Sequence, residues 1–254
     1  MQHKEFAEFI CDLAERSAEL ILPFFMSPDL VIEEKSDRTP VTLADRGAEL
    51  LLRDLIAKRY PSHGVIGEEF GRHNADAEHV WMLDPVDGTK SFAAGCPLFG
   101  TLIALLRGGV PILGAVNLPA MGKLCIGDGE SCELNGRGTR MRTKSRLAEA
   151  TVCTTDIAAI ARKSGPAVAE RLYSQPKLFQ TWGDCFGYVL LAAGLADVML
   201  DTAMNPWDIM PLIPIIRGAG GVITGWDGEE AVGAQSAVAA APGLHPQIMK
   251  LLHD

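Results

Sequence analysis

The sequence predicts a mixed α/β protein, with helices followed by an antiparallel sheet in its first half and helices alternating with strands in its second. Three observations carry this. Apolar residues recur at helical spacing from Phe6 to Ile56. Apolar runs separated by glycine-rich turns then follow, up to Asn135-Gly136. From Thr151 onward short apolar strands alternate with helical stretches, the pattern of parallel strands covered by helices.

The elements follow in order. Phe6, Phe9, Ile10, Leu13, Ser17, Leu20, Ile21 and Phe24 form one stripe of an amphipathic helix that ends between Pro23 and Pro28. Glu33 to Pro40 is polar and reads as a loop. Thr42 has the character of an N-cap, with Asp45 three residues on in a capping-box position, and Leu43, Leu50, Leu51, Leu55 and Ile56 carry a second helix to Tyr60. Gly64–Gly67 is a short strand followed by Glu68-Glu69, a pair that reads either as a solvated turn or as ligands. Val80–Leu83 is a short buried strand stopped at Asp84-Pro85, because proline has no N–H for a sheet ladder. Asp87-Gly88-Thr89 then turns into a helix. Phe99–Leu106 and Val110–Val116 flank Gly108-Gly109 as a hairpin, and Lys123–Ile126 and Ser131–Leu134 flank a second turn.

Arg137–Arg146 is basic and polar, which places a soft boundary between a unit 1–140 and a unit 141–254. The second unit reads as strands Thr151–Thr154, Leu178–Thr181 and Ala196–Leu200 with helices Gly165–Tyr173 and Cys185–Ala193 between them. A segment from Asn205 to Arg217 tolerates Pro211 in its first turn and should kink at Pro214. Strands near Val222–Thr224 and Ala237–Ala240 and a helix Pro246–Leu252 end the chain.

Composition narrows the function. The chain has 254 residues, 48% of them hydrophobic, and a formal charge of −9, with a mean hydropathy of +0.14. That is enough to bury a large core. Apart from the basic boundary stretch Arg137–Arg146 no Lys/Arg-rich run is present, which argues against a nucleic-acid partner. An anionic substrate would need local positive charge, and a bound metal can supply it. Arg107 and Asp197 interrupt the two most apolar stretches before either could span a bilayer. The N-terminal residues lack a signal-peptide core, and six cysteines without Cys-x-x-Cys spacing read as free thiols, so the expected compartment is the cytoplasm.

The chemistry concentrates in Trp81-Met82-Leu83-Asp84-Pro85-Val86-Asp87-Gly88-Thr89-Lys90-Ser91-Phe92. Two carboxylates stand at the mouth of a strand beside the N–H groups of a helix start. Hard cations take carboxylate oxygens, and phosphate takes N–H groups at a helix start. Ordinary turn chemistry and capping would also explain Asp87, and a helix-dipole role would explain Asp45. Three further pieces bear on the choice: Asp45 after Val41-Thr42, Gly67-Glu68-Glu69, and Trp207-Asp208.

With Asp84-Pro85-Val86-Asp87-Gly88-Thr89 these pieces, in this order and followed by the glycine-rich stretch Gly218–Gly221, resemble the inositol monophosphatase-like family of metal-dependent phosphatases. The resemblance implies a layered α/β/α/β/α sandwich of the inositol monophosphatase/fructose-1,6-bisphosphatase type. It implies that Glu68, Asp84 and the Val86 carbonyl hold one Mg2+, that Asp84, Asp87 and Asp208 hold a second, and that Glu68, with Glu69 nearby, contacts a third. Asp45 and Thr89 would orient and deprotonate water, and Gly88 and Thr89 would bind phosphate. A homodimer is implied as well. Independently, carboxylates gathered about 4 Å apart repel by about 4 kcal/mol per pair at an effective dielectric of 20, so such a cluster needs cations. An all-oxygen donor set suits Mg2+ over Zn2+.

Lys90-Ser91-Phe92 with Gly95 to Leu105, and Trp182-Gly183-Asp184-Cys185-Phe186-Gly187-Tyr188, resemble the histidinol-phosphatase branch. By matching position Asp184 and Asp201 would face the leaving group, and L-histidinol is a cation that acids would suit. Asp184 also reads as a helix N-cap and Asp201 as a strand-end acid. Lys90 is read as a phosphate contact or as a solvated side chain, and His63, His73 and His79 are assigned no role. The expected reaction is hydrolysis of the small phosphomonoester L-histidinol phosphate, with inositol 1-phosphate as the rival substrate. An aspartyl-phosphate phosphatase would need Asp-x-Asp, whereas the spacing here is Asp-x-x-Asp with Pro85 between. A metal- or phosphate-binding regulatory protein without turnover is the non-enzymatic alternative.

Overall fold

The structure is a computed structural model and describes residues 2–28, 32–34 and 40–254. Helix α1 (Gln2–Ile21) leads to a short antiparallel ribbon of β1 (Ile32–Glu34) and β2 (Pro40–Thr42), and then to α2 (Leu43–Arg59). Strands β3 (Gly64–Gly67), β4 (Gly71–His73) and β5 (His79–Asp87) follow, with a single-turn helix α3 (Thr89–Ala93) after them. Next come β6 (Gly100–Arg107), β7 (Val110–Leu118), β8 (Lys123–Gly127), β9 (Cys132–Leu134) and β10 (Arg137–Gly138). The remainder is β11 (Thr151–Thr154), α4 (Ile157–Ser164), α5 (Pro166–Ser174), β12 (Leu178–Gln180), α6 (Asp184–Ala192), β13 (Val198–Asp201), α7 (Pro206–Ile209), α8 (Leu212–Gly218), β14 (Val222–Thr224), β15 (Ala237–Ala240) and α9 (His245–His253).

These elements stack in five layers. One face of an eight-stranded sheet, ordered β10-β9-β8-β7-β6-β5-β3-β4, packs on α1 and α2. Its other face packs on α6 and α8, which also touch a five-stranded sheet ordered β12-β11-β13-β15-β14. Helices α5 and α9 cover the far side of that second sheet. Strand β5 shows why its apolar run is unbroken. Trp81 and Leu83 join the core under α1 and α2, while Val80 and Met82 join the core shared with the second sheet. On α1 the predicted stripe is buried at Phe6, Ile10, Leu13, Ser17 and Ile21. Among the described residues no helix is long and apolar enough to cross a membrane. All six cysteines are free, four of them buried.

Several expectations need correction. Strand β5 does not stop at Asp84-Pro85 but runs to Asp87. Its register with β6 jumps between Asp84↔Leu102 and Asp87↔Gly100, and its pairing with β3 ends at Leu83. Pro85 therefore sits in a bulge, where no ladder N–H is required of it. The polar stretch from Glu33 is not all loop: β1 and β2 pair across Glu33↔Val41, and residues 35–39 lie outside the described residues. Helix α4 was not foreseen, although Asp156 caps it by accepting the Ala158 N–H. The second sheet is mixed. Strand β11 is parallel to β12 and β13, but β15 lies antiparallel between β13 and β14. No helix joins β14 to β15, and parallel pairing needs a long crossover.

The two prolines also exchange roles. The helix breaks at Pro211, which has no N–H for the Trp207 carbonyl, although Met210 and Pro211 keep helical dihedrals. Pro214 falls in the first turn of α8, where its missing N–H would be unpaired anyway.

Candidate active site

The predicted acids come from β5, from the turn after β3 and from α7, and converge beside the end of β5. Carboxylate oxygens of Asp84, Asp87 and Asp208 lie within 4.8 Å of one another. Glu68, on the turn after β3, is hydrogen-bonded to Asp84 and lines the same cleft.

The bulge makes this possible. Residues three apart on a regular strand face opposite sides of the sheet. The register shift across Pro85 turns Asp84 and Asp87 to one cleft. The distorted backbone is braced from beneath. Thr101 Oγ1 donates to the Pro85 carbonyl at 2.8 Å, so the Ser17 hydroxyl, 3.0 Å from Thr101, must donate to it. Both hydroxyls are fully buried. That explains the one polar residue in the stripe of α1. Val86 N–H in turn donates to Asp84 Oδ1 at 3.0 Å.

Asp45 serves two purposes. Its Oδ2 accepts the Thr42 N–H at 2.9 Å and the Thr42 hydroxyl at 2.6 Å, completing the expected capping box. Its Oδ1 is left 3.4 Å from Thr89 Oγ1, which also donates to the Val86 carbonyl at 3.0 Å. Asp45 is 1% exposed and reaches the cleft through Thr89. Gly88 has φ +80, and a Cβ there would lie 2.8 Å from the Leu98 carbonyl oxygen, so only glycine fits. Asp208 occupies a second capping box, accepting the Asn205 N–H at 2.7 Å. Asp87 Oδ2 accepts the Cys185 N–H at 2.5 Å, which ties the cluster to α6.

Burial and crowding raise the proton affinity of Asp84, Asp87 and Asp208. Burial, then Asp208, push Asp87 up to about 7. Burial does the same to Asp208, reinforced by Glu68 and Asp201 against the Asn205 N–H, again to about 7. Burial and the charges of Glu68, Asp87 and Asp208 hold Asp84 well above the usual carboxylate range. Burial likewise raises Asp45.

The cleft has two lobes. A lobe of about 350 Å³ is lined by Glu68, Asp84, Asp87, Gly88, Thr89 and Asp208. A second, of about 270 Å³, shares Asp87, Lys90, Thr155, Asp184 and Asp208 and adds Asp156, Tyr188 and Asp201. Asp201 is buried and accepts from Tyr188 Oη at 2.9 Å. Burial pushes it to about 7, against the hydrogen bonds from Thr155 and Tyr188. Asp184 is the first residue of α6 rather than its cap, with φ +48, and its N–H donates to Thr155 Oγ1 at 2.8 Å. Burial and Asp87 raise it to about 7, and Lys90 and Ser91 oppose them.

Lys90 is exposed at the junction of the lobes. Glu69 lines neither lobe, and its N–H is held by Glu49. His63 accepts from Trp81 Nε1 at 3.1 Å and stacks on Tyr60, away from the cleft. Sequence reasoning missed Thr155, Asp156 and Tyr188. The Asp156 N-cap signal for α4 was the one local cue to the first two.

A carboxylate cluster with raised proton affinity and no His or Cys among its donors fits hard divalent cations. Comparison with known proteins agrees in kind. The profile of the inositol monophosphatase family matches residues 2–254. The chain is 38% identical over 236 residues to a bifunctional phosphatase of Arabidopsis thaliana, covering 92% of this chain and 68% of that protein. It is 36% identical over 222 residues to a histidinol-phosphatase of Chlorobaculum parvum, covering 87% and 86%. The solved structure of an inositol monophosphatase from Zymomonas mobilis superposes with a TM-score of 0.88 at 30% identity, covering all of both chains. The chain is therefore a phosphatase of the inositol monophosphatase family.

Proposed function

We propose that the protein hydrolyses L-histidinol phosphate to L-histidinol and phosphate with Mg2+ in the acid cluster. The observation that carries the substrate choice is the second lobe. Asp156, Asp184 and Asp201 line it together, directly beyond the cluster, so a leaving group there meets carboxylates. L-histidinol is a cation, and a charge-assisted hydrogen bond to a carboxylate is about twice as strong as a neutral one. A relative named histidinol-phosphatase, similar over most of both chains, supports the same reading.

In this reading Glu68, Asp84 and the Val86 carbonyl hold one cation, and Asp84, Asp87 and Asp208 hold another. Bound there, the cations neutralise the clustered carboxylates and offset the charge of the phosphoryl oxygens. Thr89 and Asp45 act on the nucleophile. The Thr89 hydroxyl takes a proton from water while passing its own to Asp45 Oδ1, whose raised proton affinity suits a base. Gly88 and Thr89 N–H groups and Lys90 receive the phosphate. Asp184 and Asp201 receive the ammonium and imidazole.

The test is phosphate release from L-histidinol phosphate, inositol 1-phosphate and a neutral alkyl phosphate, with Mg2+ and with EDTA. A preference for L-histidinol phosphate that EDTA abolishes is expected. A preference for inositol 1-phosphate overturns the substrate, and turnover in EDTA overturns the metal.

A further inference from the structure

Glu49 lies one helical turn beyond Asp45 on α2 and is 0% exposed. Its carboxylate does not enter the cleft. Oε2 accepts the Glu69 N–H at 2.7 Å, and Oε1 accepts the Phe70 N–H at 3.1 Å and Arg53 Nε at 2.7 Å. The far end of the Arg53 guanidinium donates to the Gly71 carbonyl at 2.5 Å. One ion pair, its Glu49 buried and its Arg53 partly exposed, thus holds the backbone of three consecutive residues. On the other side of the turn, Glu68 N–H donates to the Leu83 carbonyl of β5 at 3.2 Å. The turn that carries Glu68 is therefore fixed between α2 and β5, with Glu68 hydrogen-bonded to Asp84. The fit is close: a Cβ on Gly67 would lie 2.1 Å from Glu49 Oε1.

A buried ion pair is a poor source of stability, because desolvation offsets the attraction and apolar side chains do as well. What apolar side chains cannot do is accept two adjacent N–H groups and donate to the next carbonyl.

We propose that Glu49, locked by Arg53, is a positioning residue for the Glu68 arm of the metal site, and sets the affinity for the first divalent cation. The inference rests on the reading of Glu68 and Asp84 as ligands. Partners that orient a ligand without touching the metal change affinity by about 10–100-fold when mutated.

The experiment is calorimetric titration of Mg2+ into the whole protein, beside its variants Glu49→Gln and Arg53→Lys. Glu49→Gln is isosteric but turns an NH2 group toward an N–H donor. We expect its Mg2+ dissociation constant to rise about 10–100-fold, with kcat recovered at saturating Mg2+ and KM for the phosphomonoester unchanged. Arg53→Lys keeps the charge but loses the fork to Gly71, and should weaken binding less. It carries the test if Glu49→Gln does not fold. An unchanged dissociation constant in a folded variant overturns the proposal. If the unaltered protein binds no Mg2+, the metal-site reading fails instead.

Discussion

The clearest consequence of the acid cluster is that it destabilises the protein until cations arrive, and Asp208→Asn measures this. Asp208 stands at about 7 against an ordinary value of 3.8. The folded protein therefore binds more protons than the unfolded chain in that window, and stability falls as pH rises from about 4 through 7. Below about pH 4 the Asp208 contribution is intact; above 7 its loss is complete. A rise from 3.8 to about 7 corresponds to about 4 kcal/mol. Asn keeps an oxygen for the Asn205 N–H, so the capping box survives. It loses only the favourable charge at a helix start, about 0.3–1 kcal/mol. In EDTA at pH 8 the variant should be more stable by about 2–4 kcal/mol, a rise in melting temperature of roughly 5–15 °C for a chain this size. At pH 5 the gain should shrink to about 1–2 kcal/mol. Mg2+ should stabilise the unaltered protein more than the variant. The assay is thermal unfolding in EDTA and in Mg2+ at both pH values. A variant no more stable than the parent in EDTA at pH 8 would refute the claim that mutual repulsion and burial strain this site.

Other consequences are direct. Because Asp87 and Asp208 titrate near 7, Mg2+ binding at pH 6.5 should release more than about one proton, and fewer at pH 8.5. Calorimetry in buffers of different ionisation enthalpy reads this, and proton release independent of pH would contradict it. Thr101→Val leaves the Pro85 carbonyl and the Ser17 hydroxyl without their buried partner. It should cost about 1–3 kcal/mol in urea unfolding and weaken Mg2+ binding by loosening the bulge; wild-type stability would show that Thr101 braces nothing. Tyr188→Phe removes a hydrogen bond that holds the Asp201 pKa down. Asp201 should then ionise at higher pH, moving the acidic limb of kcat/KM for a cationic substrate upward while a neutral alkyl phosphate keeps its profile. A shift shared by both substrates would place the effect outside the second lobe.

Much of the local structure was legible because it depends on neighbours in sequence. The stripe of α1, the capping box of Thr42 and Asp45, and the turn at Gly88 each follow from a few adjacent residues and the stereochemistry between them. The pairing of Asp84 with Asp87 was visible too, but its cause was misread. Pro85 does not end the strand; it forces the bulge that lets both acids face one way.

The sequence by itself determined the donor chemistry: carboxylates at four positions, no His or Cys among them, and a glycine at the turn that follows Asp87. Tertiary structure alone decided what stands around them. Ser17 and Thr101, 84 positions apart, meet beneath Pro85. Cys185 reaches Asp87 across 98 positions. Thr155, Tyr188 and Asp201 form a lobe because β11 pairs with β13, which sets Thr155 and Asp201 at adjacent strand ends, and α6 lies between the two sheets. Short apolar strands fit many strand orders equally well, so the order is chosen only when all layers bury their faces together, and the second lobe follows from that choice.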